Sequence, residues 1–410
     1  MQIYDVLIIG AGPAGMSAGI AAGRKGLKTA VLEKKSKPAI KLSITGKGRC
    51  NLTNSAGIKE FVDIFTNGKF LYSSFLKFSN TDLLDFFNVL GVGCVLERGG
   101  RYFPESQKAL DVVSALIRET KRYCEIILNS EVKSISKKSG GLFEVASASG
   151  VYTAKNVIIA TGGLSYPSTG STGDGYIFAE KFGHKIIKPL PALVPVILAS
   201  DFLPELKGLK LKNVEVSIMS CGKNLAKEFG EMEWTVFGAD GPVILTLSGM
   251  ISELAAKGQS LELSVNFKPA LSREQLDNRL LRELNLFGSG QIQEMLKTLL
   301  PLQAVRLVIN YAGLQITQKC SQVNKADREK LLNALVDFRQ KIKGTRDIKE
   351  AIVTKGGVCV DEVEQKTLQS KLVPGLYFCG EVLDVDAPTG GFNLQAAFST
   401  GFLAGQSLNN

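Results

Sequence analysis

The sequence predicts an α/β fold: a parallel sheet that is interrupted by an inserted module and completed near the C-terminus. Three observations predict it. An apolar run, residues 6–9, enters Gly10-Ala11-Gly12-Pro13-Ala14-Gly15, and a second run, Thr29–Leu32, ends on Glu33. A proline-rich crossover (Pro189, Pro191, Pro195) then leads away from this pattern. Strand-like segments resume at residues 351–358 and 374–381, the latter ending on Gly380-Glu381.

The first unit carries the G-x-G-x-x-G spacing between a strand and a small-residue helix, with an acid about 20 residues further on. In that context Gly10 allows the tight turn, Gly12 lets a pyrophosphate approach the backbone, Gly15 lets helix and strand pack, and Glu33 can accept from a ribose 2′-hydroxyl. The phosphates would sit on the helix N-terminus. An acid at position 33 disfavours a 2′-phosphate, so NADP is a poor tenant.

A polar loop follows and leads into Ile44-Thr45-Gly46-Lys47-Gly48-Arg49-Cys50-Asn51-Leu52-Thr53-Asn54, whose composition suits a backbone that wraps a ligand. Residues 61–90 read as helical and residues 99–104 as a turn; a helix is expected over 109–123. Short runs at 126–128, 131–135, 142–146 and 151–153 predict an antiparallel patch. The strand 156–160 ends in Thr161-Gly162-Gly163, as one returning beneath a dinucleotide would, and residues 174–181 look helical. His184, the single histidine, is expected to be structural or on the surface.

Beyond the crossover, β runs at 193–198, 214–219, 243–247 and 261–267 suggest a small barrel or sheet. Helices follow from the box Ser272-x-x-Gln275 through Leu284, then near 291–299, 304–312 and 324–341. The expected division is 1–195 with 345–410, then 196–270 (barrel-like) and 271–344 (helical). In the closing stretch Gly380-Glu381 offers a carboxylate to a ribityl hydroxyl. Gly390-Gly391 opens a helix running to about residue 408, and its N-terminal partial charge suits the negative N1 and C2 carbonyl region of a reduced flavin. Contact regions this far apart fit FAD better than NAD.

Composition bounds the class. The chain has 410 residues, 45% hydrophobic and 21% charged, as expected of a globular enzyme with more than one domain. No apolar run approaches the roughly 18 residues of a membrane helix, and the N-terminus does not read as a signal peptide. Seven cysteines without a C-x-x-C fit reduced thiols in the cytoplasm. The net charge of +10 resides in residues 1–195, where 25 Lys/Arg face 15 Asp/Glu. Its densest part, residues 24–49, could attract a polyanion, or could serve a cofactor's phosphates with the rest solvated.

These motifs resemble the YhiN/BaiN-like bacterial flavoproteins, also called NAD(P)/FAD-dependent oxidoreductases or the aminoacetone oxidase family. The resemblance rests on five stretches in register: the G-A-G-P-A-G start, residues 44–54, residues 160–176, residues 191–195, and residues 375–397. It implies a discontinuous Rossmann-like, glutathione-reductase-like (GR2-type) FAD-binding domain with an inserted β-barrel and α-helical module. It implies FAD contacts from Gly10, Gly12, Pro13, Ala14, Gly15, Glu33, Lys34, Lys41, Thr45, Gly46, Gly48, Arg49, Asn51, Val132, Ala160, Thr161, Gly162, Gly380, Glu381, Asp386, Gly390, Gly391, Asn393 and Leu394, and no metal. One stretch departs from the family pattern L-F-T-H-x-G-L-S-G-P: residues 234–242 read W-T-V-F-G-A-D-G-P, without the histidine.

The family is linked to reduction of a uridine in large-subunit ribosomal RNA to dihydrouridine, and of ring double bonds in dehydro bile acids. Both reactions add hydride from reduced flavin and a proton across a C=C conjugated to a carbonyl. Cys50 and Tyr166 are the candidate proton donors; Lys47 and Arg49 beside Cys50 are expected to lower its pKa. NAD(P)H is the expected transient reductant. Three readings stay open: an rRNA uridine reductase, a reductase of a small enone, and an RNA-binding assembly factor with structural FAD.

Overall fold

The computed structural model describes residues 3–199 and 203–408. The chain divides into two compact units, residues 1–190 with 348–410, and residues 191–347.

In the first unit β1 (Ile3–Ile9) buries Val6, Leu7 and Ile8 completely, as a parallel strand covered on both faces must. Pro13 opens α1 (Pro13–Arg24) where its missing N–H has no partner to lose. β2 (Thr29–Leu32) then pairs parallel with β1, Val6 opposite Thr29 and Ile9 opposite Leu32. The parallel core runs Glu125–Ile127, β2, β1, Gly150–Ile159, Leu376–Phe378. Gly150–Ile159 is one long strand: its start pairs antiparallel with Phe143–Ser147, and its end pairs parallel with the far C-terminal strand. Four carboxyl ends therefore meet at one edge, before Gly10, Glu33, Ala160 and Cys379, where α/β sheets bind ligands. This is a mixed α/β, Rossmann-like fold.

The helix Phe392–Ser407 lies directly on α1. An added Cβ would come 2.1 Å from Ala14 O at Gly401 and 2.3 Å from Ala18 O at Gly405. Glycines one turn apart thus let the two backbones touch.

The second unit holds a closed barrel of Val196–Ala199, Gly238–Asp240, Lys223–Trp234, Lys210–Ser220, Glu262–Asn266 and Phe338–Thr345. Trp234, Phe267 and Phe338 fill its interior with ring centroids 5.9 to 6.4 Å apart. Helices Arg273–Phe287, Ile292–Leu296, Leu302–Tyr311 and Lys325–Val336 pack beside it, the first capped by the Ser272/Gln275 box. No helix among the described residues is long and apolar enough to cross a membrane.

Four expectations are corrected. Residues 243–247 are not a strand but the start of the helix Pro242–Ala256, because Gly241-Pro242 is a helix opening and Val243, Ile244, Leu247 and Ile251 share a buried face. The helix read over 324–341 ends at Val336, and residues 338–345 close the barrel. Residues 125–127 join β2 in parallel instead of an antiparallel patch. Part of the polar loop after Glu33 is the kinked helix α2 (Ile40–Gly48), broken at Thr45, Gly46 and Lys47.

Candidate active site

The glycine loop shows three different packings. Gly10 has φ +104°, and a Cβ there would lie 2.6 Å from Ala160 O. A Cβ on Gly15 would lie 1.9 Å from Gly10 O. Gly12 is extended (φ −82°, ψ −178°), and a Cβ there would meet nothing within 4 Å. Two glycines are therefore required by the fold, and the third faces open space at the N-terminus of α1, which no side chain caps. Those are the properties of a pyrophosphate cradle.

Glu33 is buried beneath this loop. Its Oε2 accepts from Ala11 N–H (2.9 Å) and its Oε1 from Lys35 N–H (2.8 Å). The carboxylate thus fixes the loop while each oxygen keeps a lone pair for a ribose hydroxyl. Pro13, Ala14, Ala160 and Thr161 border the same strand ends, and Ser130 N–H bonds Glu33 O (2.8 Å), which brings the strand of Val132 alongside. Lys34 reaches across to Asp174 Oδ2 (2.5 Å).

The next part of the site is a polar network. Lys41 Nζ donates to Ser165 Oγ (2.6 Å) and Glu381 Oε2 (2.7 Å). Glu381 Oε1 accepts from Ser165 Oγ (2.9 Å) and Thr354 N–H (2.8 Å). Thr354 Oγ1 in turn accepts from the N–H groups of Leu164 (2.8 Å) and Ser165 (3.1 Å). Ser165 and Thr354 escaped the sequence reading, which offers no local signal for a hydroxyl that braces a distant loop. Gly162 (φ +74°) and Gly380 (φ +77°) flank this network, and a Cβ on Gly380 would meet Ala14 Cβ at 2.7 Å.

At the far end, Gly46, Gly48 and Cys50 all have positive φ, and Thr45 Oγ1 donates to Leu42 O (2.7 Å). The Asn51 amide, turned to satisfy both ends, accepts from Gly391 N–H (2.9 Å) and donates to Thr53 O (3.2 Å). Gly391 (φ +94°) sits so close to Thr53 O that a Cβ would come within 2.4 Å. The helix it begins has no side-chain cap, so its first N–H groups, around Leu394, stay available for a ligand. The Asn393 side chain is engaged by Ala387, accepting from N–H (3.0 Å) and donating to O (2.7 Å). Asp386 lies 3.6 Å from Lys355 Nζ, and Asp384 nearby is held above the usual carboxylate range by burial and by Asp386. The structure thus joins residues 45–51 to 390–391, and residues 41, 165, 354 and 381 to one another.

Cys50 differs from expectation. It is 0% exposed, and burial pushes its thiol up to about 12. The adjacent Arg49 does not lower it. That guanidinium lies 4.1 Å over Phe103, donates to Gln107 (2.6 Å) and pairs with Glu97. Tyr166 is half-buried in a left-handed conformation (φ 52°, ψ 60°) that non-glycine residues adopt at a cost. His184 is buried between Glu362 (3.1 Å), Ser370 (2.7 Å) and the Phe378 ring, a structural position. In the second unit, Val236 and Phe237 of the departing stretch line an open cleft of about 430 Å³ with Leu198, Leu203 and Lys343.

Two uncapped helix N-termini, open space above Gly12 and a buried acid at the end of β2 fit a long dinucleotide such as FAD. Comparison with known proteins agrees. Residues 4–407 match the family described as HI0933-like protein Rossmann domain. A ribosomal RNA dihydrouridine synthase of Escherichia coli is 31% identical over 409 residues, 100% of this chain and 98% of that protein. A 3-dehydro-bile acid delta(4,6)-reductase of Clostridium scindens is 30% identical over 403 residues, 98% of each chain. Among solved structures, a flavocytochrome c3 fumarate reductase in an open conformation superposes with TM-score 0.53 at 18% identity, covering 99% of this chain and 78% of that one. A 3-ketosteroid delta1-dehydrogenase from Sterolibacterium denitrificans gives 0.52 at 14% identity, with 99% of both chains covered.

Proposed function

Since the chain belongs to the HI0933-like family of flavin-dependent oxidoreductases, we propose that it reduces a carbonyl-conjugated C=C, that of a uridine in large-subunit ribosomal RNA. The observation that carries this reading is full-length similarity to a ribosomal RNA dihydrouridine synthase at 31% identity. A second such synthase, from Haemophilus influenzae, is 30% identical over 100% of this chain. The charge of +10 supports a polyanionic substrate, and an RNA-modifying role goes with the cytoplasm.

Bound FAD supplies the hydride, with NAD(P)H as the proposed transient reductant. Gly12 and the α1 N-terminus hold the pyrophosphate, and Glu33 holds the adenine-side ribose. Lys41 and Glu381, braced by Ser165 and Thr354, take the ribityl hydroxyls. The N–H groups at the start of Phe392–Ser407 stabilise negative charge at the pyrimidine end. Tyr166 is the proposed proton donor, since it is reachable from solvent and Cys50 is sealed.

Similarity to the bile acid reductase favours a second reading, reduction of a small enone. Nucleoside mass spectrometry of ribosomal RNA from a deletion strain tests the first: one dihydrouridine should disappear and return on complementation. An unchanged dihydrouridine content, together with flavin reoxidation by a small cyclic enone in the absence of RNA, would leave the second.

A further inference from the structure

The two-glycine turn between Glu97 and Arg101 lies outside the residues assigned above to the dinucleotide, yet it is tied to them. Cys94–Glu97 and Arg101–Pro104 pair as a hairpin with Glu97 opposite Arg101, and both Gly99 (φ +78°) and Gly100 (φ +72°) of the turn are left-handed. The tip is fixed from below. The buried Asn54 amide donates to Gly99 O (3.1 Å) and also to Gly390 O (3.0 Å), while Ser55 N–H bonds Gly100 O (2.7 Å). A Cβ on Gly100 would lie 2.7 Å from both Asn54 Oδ1 and Ser55 Oγ. One side chain therefore locks the hairpin tip to the residue preceding the helix cap Gly391.

The charges at this tip are unbalanced. Arg98 and Arg101 are exposed, and Arg101 Nε donates to Arg98 O (3.0 Å), which holds the two residues together. Arg101 also lies 5.9 Å from the Phe103 ring, the ring that Arg49 covers at 4.1 Å. Arg49 has Glu97 as its counterion. Among the described residues neither Arg98 nor Arg101 has a carboxylate partner, and neither does the exposed Lys47, whose neighbour Gly46 faces Phe103 such that an added Cβ there would lie 3.6 Å from Cε1. Cations without counterions are open to an anion, and guanidinium groups have the fork geometry that oxoanions take. Because the tip is already braced, little ordering is needed on binding.

We infer that Arg98 and Arg101, with Lys47, form an oxoanion-recognition prong that seats the substrate's negatively charged group beside the flavin end of the site. The inference rests on the functional reading above for where the flavin lies. The group is either a phosphodiester next to the reduced base or the carboxylate of a small enone acid.

The test uses the FAD-loaded R98Q/R101Q protein. Its first arm measures anisotropy of a fluorescein-labelled, single-stranded, uridine-containing RNA and of the same sequence with methylphosphonate linkages. Its second arm measures turnover of a carboxylated cyclic enone and of its methyl ester. If the group is phosphodiester, the variant binds the charged RNA about tenfold more weakly at low salt, and the slope of log K against log salt falls by about 1.4, two single-strand contacts. The neutral RNA is then unaffected. If it is carboxylate, KM for the acid rises about tenfold with kcat unchanged, and the ester is unaffected. The inference is overturned if the variant, with normal flavin content and melting, handles both anionic probes within twofold of wild type. It is overturned equally if K121Q, a charge control on the exposed face of Ala109–Tyr123, produces the same loss. RNA binding is read without turnover, so a wild-type protein that binds RNA and reduces no uridine would refute the functional reading and leave the prong still testable.

Discussion

Gly12→Ala should separate a cofactor cradle from an ordinary turn. In the structure Gly12 has an extended backbone that any residue can adopt, and an added methyl touches nothing within 4 Å. Alanine is a poorer N-cap than glycine by roughly 0.5–1 kcal/mol, but it also reduces the freedom of the unfolded chain by about 0.4–1 kcal/mol. The two effects nearly cancel, so the apo-protein's stability should move by less than about 1 kcal/mol. The cost falls on the ligand, because the methyl occupies the space through which a pyrophosphate reaches the helix N-terminus. Losing one hydrogen bond to a charged group is worth about 1.5–3 kcal/mol, so the FAD dissociation constant should rise about 10- to 100-fold. Gly15→Ala is the contrast: its Cβ would lie 1.9 Å from Gly10 O, and backbone must shift, at a cost of about 1–3 kcal/mol or more in the apo-protein itself. Thermal melts of apo-protein and flavin-fluorescence titrations check both. If G12A bound FAD within twofold of wild type, or melted as early as G15A, the assignment of the cradle would be wrong.

Four further outcomes are expected. Tyr166→Phe should lower turnover by about 100-fold or more while leaving flavin content and absorbance unchanged, because only a proton is removed; stopped-flow rates with substrate check it. Cys50→Ala should keep turnover within a few-fold, and in the native protein Ellman's reagent should find Cys221, the exposed thiol, before Cys50. Gly401→Ala should destabilise the first unit by about 1–3 kcal/mol, since the new methyl would lie 2.1 Å from Ala14 O, and urea melts read the loss. Burial depresses the His184 pKa in the folded state below its ordinary value of 6.5. Its contribution to stability is therefore fully present above pH 6.5 and is lost as pH falls below it, by at most about 1.4 kcal/mol per pH unit. Denaturation at pH 5 and 7.5 should show that difference shrink in His184→Gln.

What could be read from sequence was whatever a short window decides. The close packing of Gly10 and Gly15 follows from a strand, a turn and a helix that are contiguous. The helices Ala109–Tyr123 and Asp174–Lys181 carry their own periodicity and ends. The misreadings came where one pattern serves two structures. The run Val243–Ile244–Leu245 suits a strand or a buried helix, and Gly241-Pro242 decided for the helix. Adjacency also misled: Arg49 and Cys50 are neighbours in sequence, but the positive φ of Cys50 turns its thiol into the core while Arg49 reaches to Glu97. No window could show Ser165 and Thr354 meeting Glu381: pairing of Leu376–Phe378 with Gly150–Ile159 brings Glu381 to Ser165, and Thr354 comes from Val353–Val358, a strand of a separate two-stranded sheet.

Those long-range meetings mean that the site and the last segment of the chain are one cooperative structure. Leu376–Phe378 adds the final strand beside Gly150–Ile159. Gly380-Glu381 follows at its carboxyl end and binds Lys41 and Thr354. Gly390 and Gly391 then lock onto Asn54, Asn51 and Thr53, and the helix they begin presses Gly401 and Gly405 onto α1. Without that helix α1 would expose a face of alanines and glycines, too small to shield the sheet. The N-terminal fingerprint and residues 376–407 are therefore parts of one packed structure, and a cofactor held by both, as proposed, would link its binding to the docking of this segment.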